Sequence, residues 1–353
     1  MLLPTSDDLV RDPIGRFPAA TVACFDPTCG DLPRRQLDRS RTIQFLERLA
    51  AASVPAVLIA ASTGHGHLRT TDELAEWIRT AAEANLGTVV REVLLRPEDG
   101  RVANAQLMEL VAASGYPVVF IRPGRDLAAG ATDAEVAANM APLVALAAEY
   151  GRAVGIYSIP DVSGLPLTPA AAVRLLDAPG GDRLVAIKVT EADYEASTAA
   201  FLREPRLAHL KIVQGWDPHL ARALRDGPAS DAQRRQRCGV TSGPMSLAVF
   251  QYQHILTAAE QGDWGEVEAA QSAVTAVFRA MQDDPRRFAD LQRAKYIMGL
   301  GHPLTGTVVP EQVDRVFGAL AELPRSADRQ RLARSLDLLG SGPFHARLVE
   351  LQA

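Results

Sequence analysis

Up to about residue 244, short apolar runs alternate with longer amphipathic stretches; beyond it only amphipathic stretches continue. The runs at 19–24, 55–60, 88–95, 116–121, 152–157, 183–189, 208–213 and 237–241 are aliphatic blocks such as Ala56-Val57-Leu58-Ile59. Blocks of this length predict strands buried on both faces. Between them, helical periodicity predicts helices near 38–52, 71–85, 102–113, 133–150, 168–177, 191–203 and 217–226, with Asp72 and Asp133 near two of the starts. Further helices are predicted over 244–261, 264–282, 285–299, 310–322, 326–338 and 343–352. Eight strand–helix units argue for a parallel sheet, and eight is the count that closes a (β/α)8 TIM barrel. A doubly wound open sheet is the alternative, but no Gly-x-Gly-x-x-Gly turn follows the first strand. The expected organisation is an N-terminal extension (1–17), a barrel (18–258) and a C-terminal helical segment (259–353). Polar Asp226–Arg237 predicts an exposed insertion before the eighth strand.

Composition narrows the partners. A net charge of −5 with both signs interspersed offers no basic footprint for nucleic acid. No apolar run reaches the roughly 18 residues that span a bilayer, and the start lacks a basic n-region and apolar h-region. The expectation is a cytoplasmic protein. Cys24, Cys29 and Cys238 are too few for a disulfide framework and lack zinc-site spacing, which predicts reduced, structural thiols.

Lysine usage points to chemistry. The chain has 34 arginines and three lysines, Lys188, Lys211 and Lys295. Lys188 lies in the apolar run Leu184-Val185-Ala186-Ile187-Lys188-Val189. Burial there disfavours the ammonium and lowers its pKa, as in lysines that form Schiff bases. A strand-end lysine with its head in solvent is the competing reading. In a barrel, functional groups gather at the C-terminal ends of strands. That places Lys188 with Ala61-Ser62-Thr63-Gly64-His65 after strand 2 and Tyr157-Ser158-Ile159-Pro160 at the end of strand 5. A hydroxyl pair beside a glycine suits a carboxylate, and a tyrosine beside an amine can shuttle protons.

Ser62-Thr63-Gly64, Tyr157-Ser-Ile-Pro160-Asp-Val-Ser163-Gly164 and Ile187-Lys188-Val-Thr190-Glu-Ala-Asp193 occur in that order. Together they resemble the dihydrodipicolinate synthase / N-acetylneuraminate lyase family of class I pyruvate aldolases. The plan extends from residue 18 to about 310 and takes in Gly215-Trp-Asp217, Gly239-Val-Thr-Ser242 and Pro303-Leu-Thr-Gly-Thr. The resemblance implies that Lys188 is the Schiff-base lysine, that Tyr157 is the proton shuttle, and that Ser62 and Thr63 hold the carboxylate of a 2-oxo acid. His65, Arg122, Asp217 and Ser242 are the further expected substrate-binding residues. It also implies an aldehyde partner, no cofactor or metal, and a homo-oligomer, a dimer or tetramer. Departures bear on the substrate. Ala61 and His65 stand where the family has Gly and Glu, and Val162 stands where dihydrodipicolinate synthases place an arginine. Ile121-Arg122-Pro123-Gly124-Arg125 replaces their tyrosine segment, which disfavours lysine biosynthesis. Pro218 after Asp217 disfavours a sialic acid.

Plainer readings stand beside these. Tyr157 serves equally as a strand-end tyrosine with a satisfied hydroxyl, Ser62 and Thr63 as a turn cap, and Trp216 as core. His65-Gly66-His67 has spacing for a shared ion but no adjoining acidic or thiol cluster; His65 at the pocket mouth and His67 in a loop is the expected arrangement. Arg122 and Arg125 suit either a distal anion or surface ion pairs. The function expected is a Schiff-base lyase or aldolase. The alternatives are a dehydratase or hydratase-aldolase using the same lysine, and a non-catalytic barrel acting as a small-molecule sensor.

Overall fold

The computed structural model of the chain describes residues 3–29, 36–228, 235–282, 289–301 and 310–352. Eight parallel strands close into a barrel. In chain order they are β1 (Ala20–Ala23), β2 (Ala56–Ile59), β3 (Val90–Leu95), β4 (Val118–Ile121), β5 (Ala153–Ser158), β6 (Leu184–Val189), β7 (Lys211–Gln214) and β8 (Cys238–Ser242). Closure comes from β1, which pairs with β2 through Thr21–Ala56 and with β8 through Thr21–Thr241.

The aliphatic runs are continuous because each strand buries two faces. On β4, Val118 and Phe120 pack in the lumen, while Val119 and Ile121 pack against the helices outside. The same alternation on β2 sends Ala56 and Leu58 inward and Val57 and Ile59 outward. The N-terminal residues form two short helices, Ser6–Arg11 and Pro13–Arg16. They deliver Leu9 and Phe17 to the lumen cluster, where Phe17 meets Phe120 edge to face at 6.2 Å. Ser6 Oγ donates to the Pro117 carbonyl at 2.8 Å, tying this segment to the start of β4.

Several local expectations need correction. Thr70 and Thr132, rather than Asp72 and Asp133, cap their helices, each in a capping box with the glutamate three residues on. The stretch expected to be helical over 191–203 is helical only over Thr198–Arg203. Asp193 Oδ1 accepts from Ala196 N at 3.0 Å, and this local turn competes with the helix. Arg237 is not part of an exposed insertion: it is buried and donates to the carbonyls of Leu202, Leu207 and Leu210. The middle of that stretch (229–234), the start of the helix expected at 285 and the Pro303–Thr307 motif lie outside the described residues.

Beyond β8 come helices Val249–Glu260, Trp264–Met281, Ala289–Met298, Pro310–Ala321, Ser326–Leu336 and His345–Glu350. They share the outer core with the barrel helices. A buried polar joint locks them on. Asp26, just after β1, takes Arg69 Nη2 at 2.5 Å on one carboxylate oxygen and Lys295 Nζ at 2.8 Å on the other.

Candidate active site

A cavity of about 330 Å³ opens at the C-terminal ends of the strands. Lys188, Tyr157, Ser62, Thr63 and Asp217 all line it. β5 and β6 set the first two opposite each other, with Tyr157 and Lys188 in register across the pair. The amine of Lys188 lies 4.1 Å from the centroid of the Tyr157 ring. The Tyr157 hydroxyl is hydrogen-bonded to Thr190 Oγ1 at 3.1 Å, and Thr190 N donates to the Ser158 carbonyl at 2.9 Å. Lys188 is 2 % exposed. Burial pushes its pKa down to about 7, against the opposing pull of Glu92 and Asp217. Burial also raises the Tyr157 phenol well above its ordinary value, so it is protonated at neutral pH. At Gly215, a Cβ would come within 2.1 Å of Thr190 Oγ1 and 3.1 Å of Lys188 Cε, so only glycine leaves this pair its room.

The loop after β2 is folded tightly. Ala60 and His65 both adopt left-handed backbone, at φ 62° and 56°. The amides of Gly64 and Gly66 both donate to the Ala61 carbonyl, at 3.1 and 3.0 Å. A Cβ on Gly66 would lie 1.8 Å from the Ala60 carbonyl oxygen, so the tight turn depends on that glycine. The outcome is a Ser62 hydroxyl that is buried at the cavity and has no hydrogen-bond partner among the described residues. An orphaned buried hydroxyl is costly unless something fills the site to meet it.

Asp217 follows β7, the strand paired with that of Lys188, and lines the same cavity. Its Oδ1 accepts from Ser242 Oγ at 2.5 Å and also from the Tyr252 hydroxyl. Burial nonetheless lifts its carboxyl to about 6, the two hydrogen bonds pulling the other way. Ser242 therefore sits behind Asp217 and does not itself line the cavity.

Besides Ser242, two further expected residues are not brought to the cavity. His65 is 2 % exposed and serves as the left-handed hinge of the β2 loop, with its ring in edge contact with His67 at 6.1 Å. Burial holds His67 down to about 3, so that ring is neutral. No cluster of three or more metal-ligating side chains occurs among the described residues. Arg122 is fully buried, forked onto both oxygens of Glu98 and donating to the Pro123 carbonyl at 2.7 Å. Arg125 is exposed and donates to the His67 carbonyl at 3.0 Å.

Some lining residues were not anticipated. Thr190 sits two residues beyond Lys188, inside a motif already singled out. Val274, Phe278 and Arg279 come from helix Trp264–Met281, which forms the outer wall. Nothing in their local pattern distinguishes them from an ordinary amphipathic helix.

Comparison with solved structures gives the barrel close counterparts. A variant of the 2-keto-3-deoxygluconate aldolase of Sulfolobus solfataricus superposes with a TM-score of 0.69 at 14% identity, covering 86% of this chain and 95% of that one. A prophage protein of the dihydrodipicolinic acid synthase family from E. coli K12, solved in complex with pyruvate, gives 0.71 at 16% identity, with coverage of 87% and 98%. The dihydrodipicolinate synthase of Cyanidioschyzon merolae with lysine bound gives 0.70 at 17% identity, covering 86% and 97%. This chain has their fold. No protein family and no curated protein matches its sequence.

Proposed function

We propose that this protein is a class I aldolase or lyase that joins or cleaves a 2-oxo acid and an aldehyde through an imine on Lys188. One observation carries the reading: a buried amine, pushed down to about 7, faces a cavity shared with a protonated tyrosine and a hydroxyl that has no partner among the described residues. The fold shared with a 2-keto-3-deoxygluconate aldolase and a pyruvate complex supports it.

The amine of Lys188 attacks the C2 ketone, and the iminium that follows is an electron sink. Cleavage of the C3–C4 bond then leaves an enamine of pyruvate and an aldehyde. Tyr157 gives and takes the protons of these steps, with Thr190 as its hydrogen-bond partner. Ser62 and Thr63 hold the carboxylate, which aligns the breaking bond with the iminium π system. The distal half of the substrate meets Trp216, Phe278 and Arg279, a wall that suits a chain with an acceptor or anionic group.

Borohydride reduction in the presence of a panel of 2-oxo acids, read by intact mass, tests the reading. One reduced adduct per chain is expected with pyruvate or a substituted pyruvate. No adduct with any member of the panel would overturn it.

A further inference from the structure

The two segments that bring Tyr157 and Lys188 to the cavity each carry a further polar side chain that the chemistry leaves without a task. Ser158 is the last residue of β5, and Glu191 follows Thr190 just beyond the end of β6. Neither lines the cavity. Side chains alternate along a strand, so Ser158 turns away from the face that Tyr157 presents. Ser158 is fully buried and Glu191 half-buried. The Ser158 hydroxyl accepts from Leu167 N at 2.8 Å, so its single proton goes to Glu191 Oε1, at 2.5 Å. Three links therefore cross from 157–158 to 190–191. On the cavity side the Tyr157 hydroxyl meets Thr190 Oγ1 at 3.1 Å. Behind it Thr190 N donates to the Ser158 carbonyl at 2.9 Å, and furthest from the cavity lies the Ser158–Glu191 bond. Thr190 itself lies past the end of β6, where strand pairing no longer fixes it.

We propose that the Ser158–Glu191 hydrogen bond is a clamp that holds Thr190 against the Tyr157 hydroxyl, which makes Ser158 and Glu191 positioning residues of the reaction. The inference rests on Tyr157 being the proton carrier of the imine chemistry. A proton carrier works only while its oxygen is held within hydrogen-bond reach of the reacting atom. Thr190 is the group that orients this oxygen, and the clamp fixes the backbone on its far side. Leu167 N ties the same hydroxyl to the stretch leading into helix Pro169–Leu176, so the clamp is anchored on a third segment. The β7 side confines Thr190 as well, since a Cβ on Gly215 would meet its Oγ1 at 2.1 Å. The step that depends on this geometry is enamine formation. Tyr157 gives its proton to the hydroxyl that leaves the carbinolamine as water, which yields an iminium and a phenolate. The C3–H bond then breaks, its electron pair becomes the C2–C3 π bond, and the phenolate takes the proton. Iminium and phenolate become enamine and phenol.

Two measurements on pyruvate separate positioning from folding. The extent of borohydride trapping reads the imine, and loss of the methyl protons of pyruvate in D2O, followed by NMR, reads C3–H cleavage. Glu191→Ala should slow methyl exchange by about ten- to a hundredfold while the trapped fraction stays at the wild-type level. Glu191→Gln keeps an acceptor oxygen for Ser158 and should exchange near the wild-type rate. Ser158→Ala combined with Glu191→Ala should be no slower than the slower single variant, because both remove one bond. Methyl exchange in Glu191→Ala at the wild-type rate would overturn the proposal. So would equal losses of trapping and exchange, which belong to a folding role, or Glu191→Gln as slow as Glu191→Ala. A third measurement needs no substrate: residue-resolved amide hydrogen exchange at Thr190, which should be faster in Glu191→Ala than in wild type. If wild type neither traps pyruvate nor exchanges its methyl protons, the imine reading fails, and the Thr190 amide alone decides the clamp; unchanged protection there sinks it. Trapping on Lys188 with undiminished methyl exchange in Glu191→Ala keeps the imine and removes the clamp.

Discussion

All three lysines of this chain are buried, and each amine has a different kind of neighbour. Lys211 Nζ donates to the Gln236 carbonyl at 2.7 Å, and Lys295 Nζ binds the Asp26 carboxylate. Lys188 rests on the face of Tyr157 at the edge of a cavity, which leaves its nitrogen available to an incoming carbonyl. What distinguishes Lys188 from the other two is what its amine touches, since burial is common to all three. In the proposed reaction Tyr157 is the matching residue on the acid–base side. Its hydroxyl bonds to Thr190 and its ring supports the amine, so Tyr157→Phe separates the two roles. The variant should trap pyruvate normally but turn over ~10²–10⁴ more slowly. Near-wild-type turnover in the variant would make Tyr157 a packing residue. The scarcity of lysine made Lys188 conspicuous in the sequence, and its apolar run was enough to infer burial. Glu92 was just as readable in principle, being flanked by Val90 and Leu94 at the two-residue strand period, but one charge in an aliphatic run reads as a break in the pattern until the barrel shows which face it occupies.

At the scale of the element, the strands were legible because a closed barrel buries both faces of each, and continuous Val, Ile, Leu and Ala runs are what that demands. Segments governed by side-chain hydrogen bonds were not. The Asp193 turn delays a helix until Thr198, and Thr70 and Thr132 displace the aspartates that follow them as caps. Arg122 shows the same limit. Its position after β4 suggested a substrate contact, yet Glu98 claims the guanidinium from the neighbouring loop. The most consequential element contact is Asp26 between Arg69 and Lys295, because it joins the end of β1, the β2 loop and helix Ala289–Met298. Asp26→Asn should lower stability by about 3–5 kcal/mol by removing a buried carboxylate from two buried cations. Denaturant unfolding measures this, and a loss below about 1 kcal/mol would mean the joint is dispensable.

For the whole molecule, the barrel supplies the floor of the cavity and the C-terminal helices supply its outer wall. Lys188 and Tyr157 are fixed by strand pairing, and Ser62 and Thr63 by the tight turn just beyond β2. Phe278 and Arg279, more than thirty residues past the last strand, reach in from helix Trp264–Met281. This division predicts two separable effects. Arg279→Ala should raise KM for the full-length substrate while leaving the rate of pyruvate trapping unchanged, because pyruvate needs only the floor. Equal losses in both measurements would place Arg279 in the folding of the outer wall instead of in recognition. No helix among the described residues is long and apolar enough to cross a membrane. The wall residues were beyond sequence reasoning because they belong to an amphipathic helix whose inward face is indistinguishable from core packing until the tertiary arrangement is known.

The central claim is that Lys188 carries the substrate as an imine, and the most direct measurement is the position of the reduced adduct. After incubation with pyruvate and borohydride, peptide mapping should place the added pyruvyl mass on the peptide containing Lys188 and on no other, and Lys188→Arg should abolish it. A pyruvyl adduct on Lys211 or Lys295, or undiminished trapping in Lys188→Arg, would contradict the account.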